Sequence, residues 1–418
     1  MHVWVLEGAF RKWMPTTAQP LYFFRDALIV GGFALAVLVA APRLRRSPPL
    51  TGVTWALAIF LVVQAIAGVT GPALFVAGAR SYLAPLLFAL FALTYADGEF
   101  IRRASRTLIL YSLLEVPLAL VQAQSPGSAL VNQQVGGEDA YFVNFGVVRA
   151  SGTFSAPLGF VMFLSLAAAA AGYLLLASNV RAERRFAGIG LGLAIAGGAL
   201  SGSRSALIYL AILVAAVVWR AVLVGGRRER RALGVLMAGA LLAVATVLTV
   251  ARPVLDSFAM RVDDASRSED VAGRLVRQGT SFASSVESVL GDGAGTHSQV
   301  GIALGSVHEW TEIETQKWAL ELGALGWLAA LIVFAGSLAL LSTWFMRART
   351  IPAAAYSYGA VLFPTLIVGQ ITQNPSTQGF IGIAAAVLLI DLRDNRDRGE
   401  HVVEGTGAGT APVTRGRR

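Results

Sequence analysis

Cysteine is absent from this chain of 418 residues, and charged residues make up only 14% of it. Without cysteine the chain cannot form disulfides, zinc–thiolate sites or iron–sulfur clusters, even where it faces an oxidising compartment. Apolar residues make up 55% of the chain, and its mean hydropathy is +0.63. A soluble globular domain has fewer apolar residues than this, because it could not bury so much apolar surface. A Walker A loop is also missing, which argues against an ATP-driven pump of the P-loop type.

Long apolar runs recur along the whole chain. A helical membrane span needs about 20 apolar residues, and about eleven runs approach that length, at 22–41, 50–70, 72–96, 104–124, 157–178, 185–202, 203–224, 232–250, 317–342, 352–372 and 377–392. The runs are rich in Ala, Leu, Val and Gly and lack the alternation of a membrane β-barrel. They predict an all-α integral membrane protein with about eleven transmembrane helices. A longer form, of which residues 1–10 are the remainder of a span, would have twelve.

The chain has a net charge of +9, and its basic residues cluster at the end of every second apolar run. Basic clusters lie at 43–46, 102–106, 181–185, 227–231, 347–349 and from Arg393 onward. Cytoplasmic loops of membrane proteins carry such an excess of Lys and Arg. The clusters therefore predict a cytoplasmic C-terminus and outer loops at 125–156 and 251–316, and they exclude nucleic acid as the reason for the charge.

We predict one membrane domain, residues 1–392, followed by a basic, disordered tail at 393–418. The stretch 8–20 predicts an interfacial turn with Trp13 at the level of the headgroups. The long outer loop 251–316 lies between spans 8 and 9. Within it, residues 256–278 have the pattern of an amphipathic surface helix, and the glycine-rich residues 291–296 predict a tight turn.

Arginines of the outer face are candidate anion ligands. Arg204 stands in Ser201-Gly-Ser-Arg-Ser205, where small neighbours let backbone amides and the guanidinium approach an anion together. Arg274 and Arg277 are three residues apart and share one face of the predicted loop helix. The alternatives are that Arg204 extends to the membrane interface and that the loop arginines pair with neighbouring acids.

Glu312 and His308 are candidate general bases, because a carboxylate or imidazole can take the proton of an attacking hydroxyl. The alternative is that both are ordinary polar residues of a wet loop. His297, His308 and the nearby acids lack a recognised ligand spacing, so no metal site is predicted. Arg80 and Glu115 lie midway along consecutive apolar runs and predict a buried ion pair, either structural or on a proton or substrate pathway.

Four segments, taken in their order, resemble the O-antigen ligase and polymerase family. They are Leu200-Ser-Gly-Ser-Arg204-Ser-Ala-Leu, Gly273-Arg274, Gly291-Asp-Gly-Ala-Gly295 and the stretch 312–326 with its Glu321-Leu-Gly. The segments Glu7-Gly-Ala-Phe-Arg-Lys-Trp-Met-Pro15 and Arg149-Ala-Ser-Gly-Thr-Phe154 are similar to a subgroup associated with bacterial exopolysaccharide synthesis. The resemblance covers mainly residues 140–330.

The resemblance implies a GT-C-like helical enzyme of the bacterial inner membrane. Such an enzyme transfers a glycan from an undecaprenyl-diphosphate donor to a sugar hydroxyl at the outer face, without metal, nucleotide or other cofactor. The acceptor is another lipid-linked repeat unit in polymerases and a lipid A core sugar in ligases, and other polysaccharide-assembly membrane proteins are implied partners. The resemblance implies that Arg204 and Arg274 hold the diphosphate. Arg277, on the same predicted helix face as Arg274, and Arg149 are further candidate ligands of it.

One position departs from the ligase pattern. The ligases have a histidine about nine residues before the glutamate of Glu-Leu-Gly, and here Glu312 stands nine residues before Glu321. We therefore favour Glu312 over His308 as the base, although a shifted register would make it His308. The rival functions are a transporter or flippase of lipid-linked glycans, with Arg80 and Glu115 on the pathway, and an inactive scaffold.

Overall fold

The computed structural model describes residues 1–14, 16, 18–44, 48–135, 143–144, 147–250, 273, 276, 280–285 and 288–407. Within these ranges lie thirteen α-helices: His2–Trp13 (α1), Ala18–Leu44 (α2), Pro48–Ile66 (α3), Pro72–Tyr95 (α4), Gly98–Gln124 (α5), Pro157–Ala177 (α6), Arg181–Leu200 (α7), Arg204–Val224 (α8), Arg227–Val250 (α9), Gln299–Ala303 (α10), Glu314–Met346 (α11), Ala353–Val368 (α12) and Pro375–Gly407 (α13). The strands Val143–Asn144 (β1) and Val147–Val148 (β2) form a short antiparallel pair. Each predicted apolar run coincides with one helix.

Local sequence sets several helix ends. Pro72 and Pro157 open α4 and α6, where a missing backbone N–H leaves no bond unmade. Asp97 caps α5 by accepting the backbone N–H of Phe100 at 2.9 Å. Gly225 ends α8 in the left-handed conformation, with φ of 68°.

Six helices of the described chain are long and apolar enough to cross a membrane, namely Pro72–Tyr95, Gly98–Gln124, Pro157–Ala177, Arg204–Val224, Glu314–Met346 and Ser376–Asn395. Leu50–Ile66 and Ala353–Ile367 are apolar but shorter. Helices satisfy their own backbone groups, as a lipid surrounding requires. The protein is therefore an all-α membrane protein, whereas the count of eleven spans stays a prediction.

Helix α6 is the centre of the bundle. It packs against α5, α7, α8, α12 and α13, and its residues from Phe160 to Gly172 are all buried. Residues 167–171 are all alanine and residue 172 is glycine. These small side chains let the backbones of neighbouring helices approach α6 closely. A Cβ on Gly172 would lie 3.2 Å from Val217 Cγ2 of α8.

The predicted outer and inner loops lie at opposite ends of the bundle. The loop end comprises residues 67–71, 149–156, 201–203, 288–313 and 369–374, and hydrogen bonds such as Thr372 N–H to Glu314 Oε1 (2.8 Å) join its parts. The short-turn end comprises 96–97, 178–180, 225–226 and 347–352. There Arg102 and Arg106 both pair with Glu183, at 2.6 and 2.9 Å. The structure thus separates the two sets of loops, and which end faces outward remains a prediction.

The N-terminal segment corrects the predicted turn at 8–20. Residues up to Trp13 are helical, and α2 begins at Ala18. Helix α1 forms because its charges find buried partners: Glu7 pairs with Arg25 at 2.6 Å, and Lys12 donates to Ser151 Oγ at 2.6 Å. The indole N–H of Trp13 donates to Leu130 O at 3.0 Å.

The tail also differs from its prediction. Helix α13 continues to Gly407, beyond the predicted start of disorder at residue 393, and residues 408–418 lie outside the described ranges. Arg393 anchors the start of this extension, because its guanidinium donates to Leu93 O at 2.9 Å and to Ala96 O at 3.1 Å.

Candidate functional site

The described segment 288–298 of the long loop is docked against a break in helix α11. The break is at Gly323, whose φ of 57° and ψ of −132° interrupt the helix. An interruption frees backbone groups that need new partners. Asp292 N–H donates to Leu320 O at 2.8 Å, and Ala324 N–H donates to Val289 O at 3.1 Å. The loop therefore supplies the hydrogen bonds that the broken helix lacks.

Two glycines make this docking sterically possible. A Cβ on Gly291 would lie 2.5 Å from Gly323 N, and a Cβ on Gly323 would lie 2.5 Å from Val289 O. Gly291 has a φ of 73°, in the left-handed region that favours glycine. The glycine-rich turn predicted at 291–296 is thus confirmed, and it brings Asp292 and the residues that follow into the bundle.

Gln64, near the end of α3, also forms hydrogen bonds with this turn and with α11. Its side-chain amide donates to Glu321 O at 2.8 Å and accepts the N–H of Ala294 at 3.3 Å. A Cβ on Gly295 would lie 2.8 Å from Leu74 O, so the turn also lies against α4. Thr296 and His297 are buried as a result.

Glu321 contacts three separate parts of the site, and its side chain is fully buried. Its Oε1 accepts the backbone N–H of His297 at 2.9 Å, and its Oε2 accepts the hydroxyl of Tyr82 at 2.7 Å. Lys317 Nζ lies 3.6 Å from Oε2, one helical turn away. One carboxylate therefore joins the docked loop, α4 and α11.

Lys317 continues this network towards the turn between α12 and α13. Its ammonium, also fully buried, donates to Thr372 Oγ1 at 2.6 Å. The Thr372 hydroxyl in turn donates to Glu314 Oε1 at 2.5 Å, and the Trp318 indole donates to the same oxygen at 2.8 Å. The buried charges at the start of α11 are thus balanced by one another and by neutral donors.

Asp292 lies between two histidines. Its Oδ2 is 2.7 Å from His297 Nε2 and 3.6 Å from His308 Nδ1, and the two imidazole centroids are 4.9 Å apart. His297 Nδ1 lies 2.9 Å from Glu309 O. Two imidazoles and a carboxylate can hold a cation or position a proton.

Glu312 belongs to an arm, residues 304–313, that leads from α10 back to α11. Its backbone oxygen accepts the side-chain amides of Gln370 at 3.3 Å and Gln373 at 3.1 Å. Trp310 donates to Gln373 Oε1 at 2.8 Å, which adds a third link to the same turn. Glu312 itself is exposed, so its backbone is fixed while its side chain faces the surroundings.

Arg149 contacts the turn between α7 and α8, which leads into Arg204. The guanidinium Nε of Arg149 lies 3.5 Å from Ser201 O, three residues before Arg204 at the start of α8. Gly202, with φ of 58°, makes this turn tight, and Ser203 is buried beside it. Of the four predicted diphosphate ligands, Arg149 thus contacts the turn that directly precedes Arg204. Arg274 and Arg277 lie outside the described residues, as does most of the predicted surface helix.

The predicted pairing of Arg80 with Glu115 is wrong. Arg80 Nη1 lies 3.3 Å from Asp26 Oδ2, whereas Glu115 accepts the backbone N–H of Thr153 at 2.9 Å and its hydroxyl at 2.6 Å. The reason is the helix arrangement: α4 packs against α2, and α5 packs against α6 and α7. Helices that are consecutive in sequence do not have to share a face.

Arg25 and the adjacent Asp26 form a local ion pair at 3.4 Å. The nearer partner of Arg25 is nevertheless Glu7, at 2.6 Å. With Arg80, these residues join α1, α2 and α4 at the loop end.

Four residues of the site, Glu321, Asp292, Tyr82 and Gln64, were not among the predicted functional residues. A signal existed for Glu321, because a carboxylate inside an apolar run is costly unless it is paired. The glycines on either side of Asp292 predict a turn, but they do not indicate that the turn packs against helix α11. The parts played by Tyr82 and Gln64 depend on how distant helices pack, which leaves no local pattern.

Comparison with known proteins gives no relative. No protein-family profile, curated protein or solved structure matches this chain.

Proposed function

We propose that this protein transfers a glycan from an undecaprenyl-diphosphate donor to a sugar hydroxyl at the outer face of a bacterial inner membrane. The observation that carries the proposal is the meeting of Arg149 with the turn that precedes Arg204. Both arginines come from segments on which the family resemblance rests, and they are 55 positions apart in the chain. Within the proposal the helices form a GT-C-like arrangement of eleven spans.

The arginines neutralise the leaving group. When the bond between the anomeric carbon and the diphosphate oxygen breaks, negative charge develops on that oxygen. Guanidinium groups fixed beside it stabilise the charge without reorganising. The small residues Ser201, Gly202 and Ser203 leave room for the phosphates next to the backbone, while the lipid tail lies between helices below.

Glu312 acts as the base. Its carboxylate takes the proton of the acceptor hydroxyl, whose oxygen then attacks the anomeric carbon from the side opposite the diphosphate, so that the configuration is inverted. The exposed position of Glu312 on an arm fixed by Gln370 and Gln373 suits a base that meets a large hydrophilic acceptor. His308 is the alternative base, since Asp292 lies beside its ring.

The test is the lipid-linked glycan of a deletion strain complemented with variants. Arg204→Ala, Arg149→Ala and Glu312→Gln should fail to restore wild-type glycans at equal expression. Arg103→Ala is the matched control, because Arg103 is exposed and contacts Glu99 on the surface of α5. It should restore them fully.

The accumulated intermediate identifies the reaction. Single repeat units on undecaprenyl diphosphate indicate a polymerase, and long lipid-linked polymer indicates a ligase. Unchanged glycans in the deletion strain, or full complementation by Arg204→Ala, would contradict the proposal.

A transporter of lipid-linked glycans is the second candidate, and the break at Gly323 is the observation that favours it, since transport helices are often discontinuous. The docked loop bonds the groups that this break frees, which accounts for it without a pathway. Transport predicts that Arg204→Ala and Glu312→Gln keep function while Asp26→Asn or Arg80→Gln loses it.

A further inference from the structure

We propose that Asp292, His297 and His308 bind a divalent transition-metal cation of the zinc class. Asp292 Oδ2, His297 Nε2 and His308 Nδ1 converge, and one ligand atom from each residue lies within 4.8 Å of the others. Two imidazoles and one carboxylate form a ligand set found in zinc and iron proteins. This site goes beyond the proposed function and does not depend on it.

The hydrogen bonds of His297 point to a cation. A neutral imidazole has one N–H and one nitrogen with a lone pair. Both ring nitrogens of His297 face oxygens: Nδ1 is 2.9 Å from Glu309 O, and Nε2 is 2.7 Å from Asp292 Oδ2. If Nδ1–H donates to the carbonyl, which can only accept, the lone pair of Nε2 faces a carboxylate. A metal ion bound by both Nε2 and Oδ2 would remove this repulsion, and the two atoms would move from 2.7 Å to about 3.3 Å apart, as tetrahedral bonds of about 2.0–2.1 Å require.

The surroundings of His297 match those of a metal-bound histidine. Such a histidine usually donates its second ring N–H to a carbonyl or carboxylate, which fixes the ring, and Glu309 O occupies that position. The backbone also holds two of the ligands in place. His297 N–H donates to Glu321 Oε1, and Asp292 N–H donates to Leu320 O.

His308 completes the set from the arm that carries Glu312. Zinc–nitrogen bonds of about 2.0–2.1 Å allow two ligand atoms to lie at most about 4.2 Å apart. The His308 side chain is 36% exposed, so its ring can turn to close the remaining distance. A fourth position is left for water or another ligand. Nitrogen donors favour zinc-class ions over Mg²⁺ and Ca²⁺, which prefer oxygen.

The ion would tie the arm 304–313 to the docked turn at 291–297. The arm already contacts this turn through Thr311 N–H, which donates to His297 O at 3.3 Å, and through Glu309 O beside His297 Nδ1. Gln370 and Gln373 attach it to the turn between α12 and α13. The ion would add a link from the His308 side chain. The role of His308 would then be to hold the position of the arm, and Glu312 would remain as the base.

The experiment measures binding to full-length protein purified in detergent without a histidine tag and stripped with a chelator. Zn²⁺ and Co²⁺ are titrated separately, with metal content per chain and the Co²⁺ visible spectrum as readouts. We expect one ion per wild-type chain. Asp292→Asn and His308→Ala should weaken binding about tenfold or more, because each removes a ligand. Glu309→Ala, the matched control, keeps the backbone carbonyl and should bind as wild type.

Thermal unfolding without metal verifies that each variant is folded, so a loss of binding reports the ligand. Absence of saturable binding by folded wild type overturns the site, and the contact between His297 and Asp292 is then an ordinary hydrogen bond. Binding that survives both ligand substitutions also overturns it. Neither result bears on glycan transfer, so failure of this site is distinguishable from failure of the proposed function.

Discussion

At the scale of single residues, the charges of Glu321 and Lys317 are the most demanding feature of the site. Both side chains are fully buried and lie 3.6 Å apart. Taking two ions out of water is costly. The pair is tolerated because Tyr82 and His297 donate hydrogen bonds to Glu321, and Lys317 donates one to Thr372. Such a pair favours one packing of the surrounding helices, because any other packing would leave a buried charge without its partner.

Glu321→Gln should destabilise the protein strongly. The substitution keeps the size of the side chain but leaves the Lys317 ammonium buried without its charged partner, which costs about 3–5 kcal/mol in comparable pairs. Thermal unfolding in detergent measures this loss. Glu99→Gln is the control, because the Glu99–Arg103 pair is exposed and such pairs contribute little. Equal melting temperatures for both variants would show that the buried pair has no structural importance.

Residue chemistry was only partly predictable from the sequence. Arg204 could be singled out because its neighbours Ser201 to Ser205 form a local pattern. The cluster of Asp292, His297 and His308 could not, since its spacings of five and eleven residues match no motif. These residues meet because glycines bend the turn and Glu321 fixes it, and Glu321 acts from another helix.

At the scale of elements, the interrupted helix α11 and the docked segment 288–298 depend on each other. The helix can break because the loop supplies hydrogen bonds, and the loop can be buried because the break exposes acceptors. Both need glycine at the point of contact, Gly291 on the loop and Gly323 on the helix.

Gly323→Ala should therefore release the loop. A side chain at this φ and ψ is strained by about 1–3 kcal/mol, and its Cβ would lie 2.5 Å from Ser288 O and Val289 O. We expect faster amide hydrogen exchange at residues 289–297 and increased cleavage there by protease.

Gly336→Ala is the matched control for this prediction. It lies in the same helix, where an added Cβ meets no atom within 4 Å, and alanine favours a helix by up to about 1 kcal/mol over glycine. It should leave exchange in the loop unchanged. Protection of residues 289–297 in Gly323→Ala equal to that in wild type would contradict the mutual dependence.

Elements were more predictable than their contacts. The apolar runs mark their helices because lipid requires continuous apolar surface and internal hydrogen bonding. The end of helix α1 was not predictable locally, because Arg11 and Lys12 directly follow the short apolar stretch 1–10. Its stability depends on Arg25 and Ser151, which are distant in sequence.

At the scale of the whole molecule, the bundle has two chemically different ends. The loop end gathers the buried Glu314 and Glu321, the histidines His297 and His308, and the arginines Arg149 and Arg204. The short-turn end has basic clusters, partly held by Glu183. This asymmetry agrees with a protein that works on one side of a membrane and is oriented by positive charge on the other.

The absence of cysteine allows this orientation to be tested directly. Val307 is 92% exposed at the loop end, and Val180 is 55% exposed at the short-turn end. In right-side-out vesicles, a membrane-impermeant maleimide should label Val307→Cys, and it should label Val180→Cys only after permeabilisation. The unsubstituted chain is the control and should not react. Labelling of Val180→Cys from outside would reverse the predicted orientation.

The most direct test of the account is transfer by the purified protein. A labelled glycan on undecaprenyl diphosphate is incubated with wild type, Arg204→Ala and Glu312→Gln, and the released lipid diphosphate and the extended glycan are measured together. We predict that wild type releases both in equal amounts, and that Arg204→Ala is slower by about 100-fold or more, as when a fixed donor to developing charge is removed. An intact donor after incubation with folded wild type and a suitable acceptor, or undiminished transfer by Arg204→Ala, would contradict the account.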